Sequence, residues 1–290
     1  MTTNLAIVIL AHSDLAHLQH LLRRLAPLHT FVHIDARAPA SFVNAVSVSA
    51  PADTVFLDRQ PTPWASLGLV QAELRGIAAA LTDPATSHVA VLSGTCYPLL
   101  PASGLCAATA ALGQRSRVVL FPLPFSGWGR HGGLDRYTRL HWNVARRDLW
   151  VPTRRQLPLG LSPAGGQQQK ILSRTHATAL LAALGNRPDI LDFWRHVWVP
   201  DETLIPSCLS SPDFLGPSIP EVITDSAWFT DWRGPKLTGP RWIEESHIPW
   251  IKAEQAERAR NGSPLLLFCR KLSLARFPNV VHLLDSDLPG

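Results

Sequence analysis

The stretch VPDETLIPSCL, Val199 to Leu209, sets two adjacent carboxylates, Asp201 and Glu202, between a proline and an apolar run. A carboxylate at the mouth of a buried helix can take a proton from an attacking nucleophile. Apolar walls raise its proton affinity, and the positive helix end favours its charged form. The same pattern is also an ordinary helix start, where acids are common. Other residues with chemical potential lie at strand ends: Leu10, Ala11 and His12 after one apolar run, Asp35 after FVHI, and Ser93-Gly94-Thr95 after HVAVL. Any one of these is commonly a turn or cap residue. The segment FSGWGRHGGLDRYTRLHW mixes Trp128, Arg136 and Trp142, whose faces and cation could hold a sugar or another planar ligand, or pack back onto the core. Arg270-Lys271 in FCRKLS offers two cations to a phosphate, or to solvent.

The elements that must position these residues are legible in the hydrophobic pattern. LAIVILAH reads as a buried strand. DLAHLQHLLRRLAPL reads as a helix, with Ser13 or Asp14 as its cap and Pro27 as its stop. TFVHIDAR, PASFVNAVSVSA, DTVFLD, SLGLVQAELRGIAAALT and HVAVLSG continue the alternation. Strands and helices at this spacing predict an α/β fold with a mainly parallel twisted sheet flanked by helices. Ligands in such sheets bind beyond the carboxyl ends of the strands. Residues 126 to 169 show little periodicity and read as a long irregular segment. Beyond them QQQKILSRTHATALLAALG predicts a strand leading into a helix capped by Ser173. AWFTDW predicts a strand, EESHIPWIKAEQAERARNG a charged helix and PLLLFCRKLS a last strand. No repeat, linker or boundary interrupts the chain. It reads as one domain over 1–290, with a nucleotide-binding half (1–125) and an acceptor and catalytic half (126–290).

The 290 residues are 46% hydrophobic and 17% charged, which excludes a disordered chain. A net charge of +5, scattered with no long basic run, argues against a nucleic-acid partner and suits an anionic small molecule. Four cysteines, Cys96, Cys106, Cys208 and Cys269, show no metal-ligand spacing and read as reduced thiols. No stretch reaches the ~18 apolar residues of a membrane span, and the short N-terminal apolar run lacks the flanks of a signal peptide. A cytoplasmic protein is expected. The many Ala, Arg, Pro and Trp residues suggest a GC-rich, bacterial source. The sequence does not reveal the oligomeric state.

Taken in order, several blocks resemble the core-2/I-branching β-1,6-N-acetylglucosaminyltransferase family, which includes peptide xylosyltransferases and bacterial relatives. The blocks are IVILAHSDLAHLQHLLRRL with FVHIDAR, WASLGLVQAEL, VAVLSGTCYPL, GGQQQKILSR, VPDETLIPSCL and LLLFCRKLS. They run from about residue 5 to residue 273. The resemblance implies a GT-A type fold and transfer of a sugar from a UDP donor with inversion, without a divalent metal. The chain agrees in lacking an Asp-x-Asp at a strand end. Its one such triplet, Asp285 to Asp287, is expected in a frayed tail.

The resemblance assigns Glu202 as general base, with Asp201 capping or orienting the turn and contributing to substrate binding beside Trp128, Arg136 and Trp142. It makes Lys271 the phosphate-binding cation, with Arg270 beside it. Arg241 is the favoured second cation over Lys236 and Arg233. Asp35 is expected to meet the uracil, framed by Ala11 and His12, with Arg37 or Ser66 near ribose or phosphate and Ser93-Gly94 near the donor sugar. His12 and His33 have a second reading as core histidines. Cys96 stands where the family has an Asp, and Gln167-Gln168-Gln169 where it has aromatics. These departures leave the donor open between N-acetylglucosamine, xylose and glucose. They also leave open a glycan or natural-product acceptor, hydroxyl or amine. A non-catalytic nucleotide-sugar-binding protein is the alternative of another class.

Overall fold

The computed structural model describes residues 5–144, 147–153, 155–216, 218–234 and 239–287. Its centre is a six-stranded sheet ordered β3-β2-β1-β4-β9-β6. The strands are β1 (Leu5–Ala11), β2 (Thr30–Ile34), β3 (Thr54–Phe56), β4 (His88–Ser93), β6 (Arg117–Pro122) and β9 (Ala164–Ser173), while β5 (Cys96–Pro98) belongs to a second sheet. Strands β3, β2, β1 and β4 pair in parallel. The return strand β9 runs antiparallel to both β4 and β6, so the sheet is mainly but not wholly parallel, an α/β architecture as the alternation predicts.

The central strands are apolar on both faces because both faces are covered. Ala6, Val8 and Leu10 of β1 enter one core, and Ile7, Ile9 and Ala11 enter the other. Helices α1 (Leu15–Leu25), α2 (Ala40–Ser49) and α4 (Ala102–Ala110) serve the second core. In α1, Leu18, Leu21, Leu22 and Leu25 form a buried stripe, each stabilising by roughly 1.5–3 kcal/mol. Asp14 caps α1 by accepting the His17 N–H. Helix α3 (Leu67–Ala80) lies on the opposite face, against β1. A Cβ at Gly76 would come within 2.5 Å of Val8, so that contact needs a glycine.

The middle of the chain corrects the reading of 126–169 as irregular. A 3₁₀ turn (Ser126–Trp128) and α5 (Asp135–Thr138) lead into an antiparallel hairpin, β7 (Arg139–Val144) with β8 (Arg147–Pro152), and β9 begins at Ala164. Helices α6 (Arg174–Asn186), α7 (Pro188–Trp194), α8 (Leu204–Leu209) and α9 (Pro212–Leu215) follow, α6 capped by Ser173 as predicted. A three-stranded sheet ordered β10-β11-β5 joins β10 (Trp228–Thr230) and β11 (Phe268–Arg270) to β5. Helices α10 (Ile248–Asn261) and α11 (Pro278–Asp287) complete its core, with Tyr97, Ile251, Leu272 and Leu284.

Asp285 is not frayed. In α11 it accepts the Tyr97 hydroxyl and pairs with His20 and Arg24, at 2.9 and 3.1 Å for the last two. Among the described residues no helix is long and apolar enough to cross a membrane.

Candidate active site

A cleft of about 230 Å³ opens at the carboxyl ends of β1, β2 and β4, where the strand order places a ligand. Leu10, Ala11 and exposed His12 form one wall, and Ser93, Gly94 and Thr95 the next. The Gly94 N–H donates to Leu10 O (2.9 Å), and a Cβ at Gly94 would stand 3.0 Å from that of Ala11, so the two strand ends meet closely. His33 is a core histidine instead. Its Nε2 accepts the Gln60 N–H, and burial lowers its pKa.

Asp35 lies beneath the rim, 1% exposed, with both carboxylate oxygens in use. Arg37 donates through its backbone N–H, Nε and Nη2, and Thr62 through its N–H and hydroxyl. Burial pushes the carboxyl up, but these donors outweigh it and hold Asp35 well below the usual carboxylate range. The group therefore organises the rim residues Arg37 and Thr62 rather than presenting a free oxygen. Ser66 also differs from its expected place. Its hydroxyl donates to Pro63 O (2.7 Å), while Thr62 and Trp64 of the same loop line the cleft.

The opposite wall comes from β11 and β9. The Leu272 N–H donates to Thr95 O (2.9 Å), bringing the end of β11 beside the β4 turn and Arg270 onto the cleft. Arg270 Nη1 donates to Gln169 Oε1 (2.8 Å), and Gln169 Nε2 to Gln168 Oε1 (3.2 Å). The glutamines that break the family pattern thus hold a cation in place, and Gln168 itself faces the cleft. Cys96 is fully buried under the turn, where its sulfur receives the Ser93 N–H (3.4 Å) and burial raises its pKa. Lys271 is half-buried, its pKa lowered by burial and then by Arg270. Its ammonium sits against Gly239, where a Cβ would be 2.7 Å away. Its backbone N–H donates to Arg241 O (3.3 Å). Arg241 lines a different groove of about 350 Å³, so the two expected cations are adjacent in backbone but neither lines the cleft. Arg233 is committed to Asp231 (2.8 Å) and to the face of Trp250 (3.6 Å). Lys236 lies outside the described residues.

Pro200–Glu202 forms a single 3₁₀ turn, entered through Val199 in the left-handed region (φ 52°) and followed by α8 from Leu204. Glu202 therefore does not sit in the first turn of an α-helix, and a helix end does not provide its counter-charge. Arg136 does, donating from Nη1 to Glu202 Oε2 at 2.8 Å. Glu202 keeps 30% of its side chain exposed. The guanidinium lies 3.6 Å from the Trp128 ring centre and 4.8 Å from that of Trp198. Trp128 fits because Gly133 and Gly165 lack side chains; a Cβ at either would approach its ring to 2.5 Å. Trp142 packs on His196 (4.9 Å). Asp201 does not cap the turn. It is 9% exposed and its Oδ1 has no hydrogen-bond partner.

Two residues escaped the sequence reading. Trp198 stacks on the Arg136 guanidinium, and Trp64 meets Trp198 edge-on (6.0 Å) from the cleft rim, linking the cleft to the Glu202 turn. The available signal was a tryptophan four residues before Glu202 in FWRHVWVPDE, and one opening the block WASLGLVQAEL.

The profile of the Core-2/I-branching enzyme family matches residues 5–252, which covers the Glu202 turn but ends before Arg270 and Lys271. No curated protein matches significantly. Two solved structures resemble the chain in part. One, described as a glucose-1-phosphate thymidylyltransferase from Bacillus anthracis in complex with a sucrose, is 10% identical. The alignment covers 61% of this chain and 74% of that one, at a TM-score of 0.30. The other, the mannosyltransferase Ktr4p from S. cerevisiae in complex with GDP, is 12% identical over 70% of this chain and 65% of that one, at 0.37. Overlaps this partial carry no weight for the chemistry. The family match over most of the chain does: the chain belongs to the Core-2/I-branching enzyme family and is a glycosyltransferase.

Proposed function

We propose that this glycosyltransferase moves a sugar, with N-acetylglucosamine the expected one, from a UDP donor to a hydroxyl of a glycan or small-molecule acceptor. The transfer inverts the anomeric carbon and uses no divalent metal. The acceptor oxygen attacks as the bond to UDP breaks, its proton passes to Glu202, and the diphosphate leaves with its negative charge. The single observation carrying this reading is Glu202 itself. It is a part-exposed carboxylate whose Arg136 partner is joined through Trp198 and Trp64 to the cleft at the strand ends. Trp128, Arg136 and Trp142 border the acceptor side.

With no metal, fixed cations must stabilise the leaving group. Arg270 on the cleft, flanked by Lys271 and Arg241, supports that assignment. Asp35 enters as the organiser of Arg37 and Thr62 at the nucleotide end, with Ala11, His12, Ser93 and Gly94 as walls.

The test is thermal stability across a set of UDP- and dTDP-sugars with EDTA present. A ligand at a hundred times its Kd stabilises a folded protein by about 2.7 kcal/mol, so one donor should raise Tm clearly. Stabilisation only on adding Mg²⁺ or Mn²⁺ would overturn the metal-free mechanism, and no response to any nucleotide sugar would overturn the donor assignment.

A further inference from the structure

Behind the turn that carries Glu202 lies a group of buried charges that the transfer does not use. Lys170, in β9, and Glu73, in α3, are both wholly out of water, with Nζ to Oε1 at 2.6 Å. The second Glu73 oxygen and Oδ1 of Asp201 are buried without a hydrogen-bond partner. The Pro200–Glu202 turn packs on β9 and α3 together, which brings Asp201 to this pair. Helix α8, also packed on the turn, has Cys208 as its titratable side chain, and α5 contributes Arg136 through Glu202 and Tyr137, whose hydroxyl meets Ser207 of α8.

The charges decide what Asp201 must be. Lys170 balances Glu73, and Arg136 balances Glu202. An ionised Asp201 would be the surplus anion, buried, with an oxygen that no donor satisfies, and such a group is costly. A proton on Asp201 removes the surplus. We propose that Asp201, backed by the Glu73–Lys170 pair, is a positioning residue for Glu202. It holds a proton in the resting enzyme, and its ionisation gives the adjacent base an anionic neighbour. The inference rests on the reading of Glu202 as base. Burial, and then the charge of Glu202, push the Asp201 carboxyl up to about 7. Below neutrality Glu202 therefore has a neutral neighbour. Above it, Glu202 stands beside an anion while it receives the acceptor's proton, and a negative neighbour favours that transfer electrostatically.

Two measurements on the full chain test this. The first compares the pH profile of kcat for wild type, Asp201→Asn and Glu202→Gln. Asparagine mimics the protonated acid, so the wild-type to variant ratio should climb by about three- to tenfold from acid through neutrality. A ratio constant with pH would overturn the proposal, as would an Asp201→Asn enzyme as inactive as Glu202→Gln. The second needs no variant: carbon NMR of aspartate-labelled wild type should find one aspartate titrating between about pH 6 and 8. Finding none would overturn the proposal even if Asp201→Asn failed to fold. An active Glu202→Gln would remove the base assignment itself, whatever the NMR titration reports.

Discussion

At the scale of single residues, the cations around the cleft are separable. Arg270 is aimed into it by Gln169, whereas Lys271 stands to the side. Arg270→Ala should weaken UDP binding by about 10- to 100-fold, the worth of a charge-assisted contact. Gln169→Leu should cost less, because it frees the guanidinium without removing it. Calorimetric titration with UDP ranks the two, and an unchanged Kd for Arg270→Ala would place the diphosphate nearer Lys271 and Arg241. Sequence could nominate these residues but not rank them. Nothing in FCRKLS says which cation turns toward the β4 strand end, since that is decided by the Leu272 to Thr95 hydrogen bond. The partners of Asp35 were likewise not readable, because Thr62 lies 27 residues away and reaches its carboxylate only through the fold.

At the scale of elements, the first four strands were legible as short apolar runs and the first three helices as longer apolar-spaced segments, the first of them with its cap at Asp14. The hairpin of β7 and β8 was not. Its strands, RLHWNV and RDLWVP, mix Trp and Arg with apolar residues and show no clean period, and the glycines that seat Trp128, Gly133 and Gly165, lie outside them. That packing gives a direct prediction. Gly165→Ala should displace Trp128, loosen the Arg136–Glu202 contact and destabilise the chain by about 1–3 kcal/mol, measurable by urea unfolding. The Lys170–Glu73 pair joins β9 to α3 with no water to relieve a broken partner. Lys170→Met alone should cost about 3–5 kcal/mol, while Lys170→Met with Glu73→Gln should be nearly neutral. Equal losses in the single and double variants would contradict a compensated pair. Nothing in QQQKIL names the partner of Lys170, which follows only from the packing of α3 on the sheet that holds β9.

At the scale of the whole molecule, stability should fall on both sides of weak acidity. Asp201 has a folded pKa of about 7, above its ordinary 3.8, so the folded state holds a proton that the unfolded chain has released. Its contribution is complete below about pH 4 and is lost as pH rises to about 7, on the order of a few kcal/mol. Asp201→Asn should therefore melt higher than wild type at alkaline pH and alike at pH 4; equal melting temperatures at both would contradict the assignment. Asp35 and Asp231 act oppositely. Both are held below the ordinary value, Asp231 by Arg233 first and Asp35 by Arg37 and Thr62 against burial, so their contribution disappears as pH falls below that value.

The ordered blocks made the family legible over nearly the whole chain, and the match over residues 5–252 agrees. What they could not carry was the replacement of a helix end by Arg136 as the partner of Glu202. The central claim is that Glu202 takes the acceptor's proton, and turnover of Glu202→Gln, measured beside its UDP affinity, tests it most directly. The account predicts a loss of about 10²- to 10⁴-fold in kcat with UDP bound as in wild type. Turnover within a few fold of wild type would contradict it.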